Sequence, residues 1–267
     1  MKSPIGVSGR QAANDVAGWV PTLARIGYAA KGAVYLLVGF IAFNAANAAG
    51  TPEGPTGAMA QLRDQTGGQV LLVLIAAGLL AHTLWRVVQA ALDPEHAGDS
   101  EKHVAARIFA GISAVIHASL AFTAWRLSRG AGETGDGQEM WITRVLGMPG
   151  GGWLVMAAGI GVMVYGVHQL VQAARGEVDR HMAHAPRQAA LLGRIGTGAR
   201  GAVMLPIGWF VFNAGRHYSA STAADMGEVL GMFDRGGWLA VTGIGLLAYG
   251  LHQFAKAVYR RIERPQV

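Results

Sequence analysis

Long apolar runs alternate along this chain with short stretches rich in polar residues, glycine and proline. The runs cover about 26–48, 69–91, 106–126, 153–174, 195–214 and 237–259. An α-helix rises 1.5 Å per residue and the hydrocarbon core of a bilayer is ~30 Å thick, so each run has the length of a transmembrane helix. A soluble bundle would show amphipathic stripes instead. Between the two members of each successive pair lies a shorter segment, about 57–66, 138–147 and 222–233, that reads as a short amphipathic helix. Adjacent glycines (Gly67-Gly68, Gly151-Gly152, Gly236-Gly237) then open the next span.

The unit of two spans is repeated. Residues 25–45 and 194–214 share twelve identities at a constant offset of 169 residues, among them Arg25/Arg194, Gly32/Gly201, Gly39/Gly208 and Asn44/Asn213. A weaker copy begins at Arg107. The second spans align as well, Gly159-x-Gly161-x₃-Tyr165-Gly166-x-His168-Gln169 with Gly243-x-Gly245-x₃-Tyr249-Gly250-x-His252-Gln253. The first copy carries Ala76, Gly78, His82, Thr83, Trp85 and Arg86 at those places. A fixed internal period dominates any fold assignment. The expected fold is an all-α integral membrane protein of six transmembrane helices, built from three tandem two-helix pseudo-repeats at 23–92, 105–175 and 192–260. Cytoplasmic tails are expected at 1–22 and 261–267, the first with a short interfacial segment before Pro21. Each unit has an even number of spans, so the three insert in parallel and predict a pseudo-threefold axis along the membrane normal, unlike inverted repeats. Pro206 predicts a kink in the fifth span.

Composition sharpens this picture. Of 267 residues 52% are hydrophobic and 14% charged, with mean hydropathy +0.31, against ~25% charge in soluble domains. Sixteen of the 22 Lys and Arg fall on the side of the two termini and six on the other, while the acids divide equally. The side richer in Lys and Arg stays inside, so both termini are expected in the cytoplasm and the net charge of +6 expresses topology, not nucleic-acid binding. No cleavable signal peptide is read at the start. Cysteine is absent, which removes disulfides and thiolate sites.

The stretch Ala24-Arg25-Ile26-Gly27-Tyr28-Ala29-Ala30-Lys31-Gly32 with Tyr35 and Gly39, and the Gly-x-Gly-x₃-Tyr-Gly-x-x-Gln pattern in spans four and six, resemble the bacterial membrane family called domain of unknown function 1206. The resemblance covers about 24–260. It implies three copies of a two-span unit and carries no biochemical activity. The first copy departs at the Tyr-Gly-x-x-Gln place, the second at the Lys/Arg-Gly place (Ser113-Ala114).

Three groups of residues are candidates for function. Arg25, Arg107 and Arg194 stand at the cytoplasmic ends of spans one, three and five, and Lys31 and Arg200 six residues, ~9 Å, deeper. They read either as snorkelling side chains or as a ring binding an anion or an anionic lipid headgroup. Tyr165, His168, Gln169, Tyr249, His252 and Gln253 form a candidate polar layer at similar depth, either a structural hydrogen-bond network or a proton or substrate relay. Asn44, Arg126 and Asn213 are equivalent and form a candidate outer polar ring, the alternative being helix capping or interhelical bonding. The glycines read as packing positions. His82, His117, His168 and His252 allow a bis-histidine haem to be considered, and His181-x-x-His184 is a weak metal signal better read as a solvated linker. No nucleophile elbow, phosphate loop or intramembrane acid pair is present. The expected role is thus a non-catalytic structural or accessory protein of the inner membrane without cofactor or metal. The bilayer, anionic lipids included, and protein partners or a second copy are its expected contacts. The alternatives are a small-solute or anion channel or carrier with a site on the axis, and a haem- or quinone-linked redox protein.

Overall fold

Low charge and sustained apolarity leave the backbone one economical way to satisfy its own hydrogen bonds, the helix. A computed structural model describes residues 5–48, 50–92, 100–131, 137–179, 182, 185–224, 226–233 and 237–261. The described residues form nine α-helices: α1 (Ile5–Ala48), α2 (Pro55–Arg63), α3 (Gly68–Leu92), α4 (Ser100–Ser128), α5 (Gly137–Leu146), α6 (Gly151–Arg175), α7 (Arg187–His217), α8 (Met226–Met232) and α9 (Trp238–Tyr259). Two 3₁₀ turns, Glu177–Asp179 and Ala220–Thr222, complete the secondary structure, and no strand occurs among the described residues. Five helices are long and apolar enough to cross a membrane, at Pro21–Asn47, Gly68–Ala91, Ala106–Ser128, Gly151–Arg175 and Arg187–His217.

Two elements extend beyond the sequence expectation. Helix α1 runs back to Ile5 through Pro21, where a tail is expected. The stretch Arg10-Gln11-Ala12-Ala13 has good helix propensity, and the other hydrogen bonds of a 44-residue helix outweigh the bond lost and the ring clash at a single proline. Helix α7 likewise continues through Pro206 for 31 residues. His181 and His184 lie outside the described residues.

The six long helices follow one another around the protein in the order α4, α3, α1, α9, α7, α6. Glycine sets the closest approaches. A Cβ on Gly39 would lie 2.7 Å from Leu247 N and 2.9 Å from Gly243 O, and one on Gly243 3.0 Å from Gly39 O. Gly32 and Gly250 face each other in the same way, each 2.9 Å from the other's carbonyl. The α7–α6 seam repeats the arrangement with Gly208 against Gly159 and Gly201 against Gly166. Bare backbones in contact maximise dispersion where lipid offers no hydrophobic drive. At the α4–α3 seam the equivalent places hold Ala114, Ala121, Ala76 and Thr83, all buried.

Within two of the units the first helix also meets the second closely. A Cβ on Gly27 would stand 2.6 Å from His82 Cα, and one on Gly196 2.8 Å from Tyr249 Cβ. Ala30 touches Gly78 and Ala199 touches Gly245 a turn away. In the middle unit these small residues are replaced by Phe109 and Ile112, both exposed. The Phe109 ring stacks on Tyr165, centroids 5.9 Å apart, where its counterparts let backbones touch. Gly161, the counterpart of Gly78 and Gly245, has no neighbour that a Cβ would meet within 4 Å. Helices α4 and α6, the two ends of the row, are therefore wedged apart and lack the packing of the other neighbouring pairs.

The half of the interior near α2, α5 and α8 is aliphatic. Val38, Ala42, Leu72, Leu79, Leu239 and Leu246 are buried there with Met59 of α2 and Val229 and Leu230 of α8.

Candidate functional site

At the opposite end of the bundle the three arginines beginning the units do one job. Arg25 Nη1 donates to Val258 O at 3.2 Å, near the C-terminus of α9. Arg107 donates to Ala90 O (2.6 Å) and Ala91 O (3.1 Å) at the end of α3. Arg194 donates to Ala173 O (3.1 Å) and Ala174 O (3.4 Å) at the end of α6. The last carbonyls of a helix lack intrahelical donors and carry the negative end of its dipole, so a cation there satisfies both. Each arginine thereby fastens its own unit to the preceding one, and the three guanidinium groups stand at the rim, spread over three helix ends.

Lys31 and Arg200 are different. Arg200 is clasped by one tyrosine from each unit. Its Nε donates to Tyr35 Oη at 2.7 Å, and its Nη1 donates to Gln169 Oε1 at 2.7 Å and Tyr165 Oη at 3.4 Å. The guanidinium carbon lies 5.6, 5.4 and 5.3 Å from the ring centroids of Tyr35, Tyr165 and Tyr249. Desolvated cation–π contacts are worth ~2 kcal/mol each, so the cage supplies much of what the guanidinium loses on leaving water. Tyr249 also carries Lys31, whose Nζ is 5.9 Å from the ring centroid. Tyr35 packs edge-on against Tyr249 at 4.7 Å. Lys31 is 6% exposed. The charged groups near enough to act on it are Arg200, Arg86 and Lys256, all cations. The sequence has no Asp or Glu from 65 to 92, 140 to 176 or 180 to 224, nor between 15 and 53 or 234 and 263.

The surrounding nitrogens add to this character. Gln169 Nε2, Gln253 Nε2, Trp85 Nε1, Arg86 Nε and both His82 ring nitrogens are buried without a hydrogen bond among the described residues. Arg86 Nη1 holds Gln89 Oε1 at 2.8 Å. His117 Nδ1 is 2.7 Å from Ser113 O; a carbonyl only accepts, so this nitrogen carries the proton. The His82 and His117 rings are in contact, centroids 4.5 Å apart, which leaves no room for a porphyrin between them. Among the described residues no group of three His, Cys, Asp or Glu could hold a metal.

The remaining candidates scatter. His252 is fully buried, its Nδ1 3.2 Å from Ala189 O, beside Gly193. His168, its counterpart, is exposed, because no helix covers α6 where α4 stands off. Asn44 is exposed, Asn213 bonds Trp209 O of its own helix at 2.9 Å, and Arg126 lies over Phe122 of its own helix at 5.9 Å; these three do not converge. Sequence reasoning passed over Tyr35, Arg86 and Phe109 as site residues. Register would have marked the last two, since Arg86 is the counterpart of Gln169 and Gln253, and Phe109 replaces the glycine of Arg-Ile-Gly.

The described residues define a helical protein with five helices long and apolar enough to cross a membrane and a cationic, aromatic layer toward one end. The chain belongs to the family described as Domain of Unknown Function (DUF1206), which matches it in three tandem segments, 26–93, 110–176 and 195–260. It is similar to "Uncharacterized protein YxxB" of Bacillus subtilis (strain 168), with 28% identity over 258 residues, covering 91% of this chain and 92% of that protein. No solved structure matches it.

Proposed function

We infer that this chain is a non-catalytic, six-span protein of the bacterial cytoplasmic membrane, closed to passage, that serves as an accessory or organising component. The observation that carries this reading is the aliphatic filling of the half away from the arginine rim, with α2 and α8 packed into it. A solute path would need polar lining through that half.

Several features support the finer architecture. Helix α9 has 22 residues, ~33 Å at the helical rise, enough for a sixth span. Its polar residues Tyr249, His252 and Gln253 are buried, while Val241, Ile244, Leu251 and Val258 are exposed, the reverse of a soluble helix. The three arginine staples and the paired glycine seams are what a pseudo-threefold arrangement produces. Lys and Arg are concentrated on the side of the staples, which supports a cytoplasmic position for both termini.

The experiment is a pair of measurements on the full chain. A reporter at Val267 is expected to be active only in its cytoplasmic form. Proteoliposomes are expected to be as tight to chloride, phosphate and protons as protein-free vesicles. Flux above that level would replace this reading with the channel or carrier suggested by buried Lys31 and half-buried Arg200.

A further inference from the structure

The interior holds two cations that no described residue neutralises, next to an opening that faces lipid. Lys31 is more than nine-tenths buried and makes no hydrogen bond among the described residues. Arg200 spends Nε and Nη1 on Tyr35, Gln169 and Tyr165, and its Nη2 makes none among the described residues. Both sit on the Tyr249 ring. The third equivalent place is Ser113 of α4, half-buried and with its Oγ 3.3 Å from His117 Nδ1, so no third cation stands there. The buried donors Gln169 Nε2 and Arg86 Nε lack partners among the described residues. Unpaired charge inside a membrane is costly and marks an ion site. Donors without acceptors specify an anion.

Access is set by the wedge at α4–α6. Phe109 covers Tyr165, and Tyr165 touches Arg200, so the row from Phe109 inward ends on the guanidinium. Ile112 and Ile116 of α4 are exposed alongside, and Gly161 of α6 opens onto free space. Arg200 lies six residues, ~9 Å, inward of Arg194 at the α6 terminus, a depth that a lipid headgroup reaches through a lateral opening. The geometry points to a binding site for one anionic phospholipid, its acyl chain along the α4–α6 cleft and its phosphate on Lys31 and Arg200, with Ser113 and Gln169 as further donors. The site rests on the membrane-spanning reading but not on the bundle being closed to solutes. A leaky bundle with lipid bound would refute the closed reading alone, and a tight one without lipid the site alone.

The test is native mass spectrometry of the full chain released from vesicles of phosphatidylglycerol and phosphatidylcholine in equal parts. Wild type is expected to retain one phosphatidylglycerol in preference to phosphatidylcholine. Charge-assisted hydrogen bonds are the strong ones, so Lys31→Gln with Arg200→Gln is expected to lower that preference about tenfold or more. Because the double variant can fail to fold, Gly161→Leu is measured beside it. Gly161→Leu fills the cleft at a position with no neighbour and is expected to melt no lower than wild type while losing the lipid. Equal retention of the two lipids by wild type, or phosphatidylglycerol retained unchanged in Gly161→Leu, overturns the proposal. So does inorganic phosphate raising the melting temperature of delipidated wild type and Gly161→Leu alike with no lipid retained, which would assign the same cations to a free anion.

Discussion

Two glycines of one motif, a single residue apart, are expected to respond in opposite ways to the same change. In Gly159→Ala the new methyl would lie 2.7 Å from Gly208 O and closer still to Phe212 N. Ordinary contacts fall at ~3.5–4 Å, so α6 and α7 must separate by about 1 Å along a seam that glycine pairs hold shut. Overpacking of this kind costs ~1–3 kcal/mol. In Gly161→Ala the methyl meets nothing within 4 Å. Both changes gain the same helix propensity, ~0.5–1 kcal/mol, which cancels in the comparison. The overpacking term alone remains, so Gly159→Ala is expected to melt about 2–12 °C below Gly161→Ala, at ~2–4 °C per kcal/mol for a chain of this size. The assay is thermal unfolding of both proteins in one mild detergent, followed by tryptophan fluorescence. Equal melting temperatures, or a lower one for Gly161→Ala, would mean that α4 closes against α6 and that the wedge does not exist.

Three further outcomes follow from the same geometry. Arg107→Ala and Arg194→Ala each remove two bonds to helix-end carbonyls and are expected to cost ~1–3 kcal/mol by thermal unfolding; Lys at either place should restore part of this through the dipole. His252→Ala empties a fully buried position and is expected to cost at least ~2 kcal/mol, whereas exposed His168→Ala should stay within ~0.5 kcal/mol of wild type. In the naturally cysteine-free chain, cysteines at Ala30 with Gly78 and at Ala199 with Gly245 are expected to cross-link on oxidation in membranes, and the equivalent Ile112 with Gly161 is not; efficient cross-linking of the third pair would show an unbroken ring.

Much of this architecture is legible in the order of the residues, and the reasons are physical. Long apolar runs admit little besides helices in lipid. Glycines recurring at fixed spacing in two copies imply seams, and the Gly39–Gly243 and Gly208–Gly159 contacts are those seams. What escaped reading depends on rotation and on partners in other units. Arg25, Arg107 and Arg194 look like a charged ring because sequence gives depth and not direction; the carbonyl ends they meet belong to helices about 16 to 21 residues back or, for Arg25, 233 residues on. Tyr165 and His168 are three apart and near one face, yet Gln169, at four, turns inward and His168 outward. Their counterparts Tyr249 and His252 are both buried. Cover from the first helix of the unit makes the difference, and Phe109 removes it in the middle copy. Asn44, Arg126 and Asn213 share register without sharing an axis, since side chains near helix ends find their own helix or solvent.

The proposed membrane bundle of three two-helix units, parted at one seam beside buried Lys31 and half-buried Arg200, is tested most directly by a density map of the full chain in a bilayer nanodisc containing phosphatidylglycerol. Six spans are expected, with α4 standing off α6, Phe109 on Tyr165, and a phosphate-sized feature at Lys31 and Arg200. A ring closed between α4 and α6, with Arg200 turned to the lipid or the cytoplasm and no such feature, would contradict this arrangement.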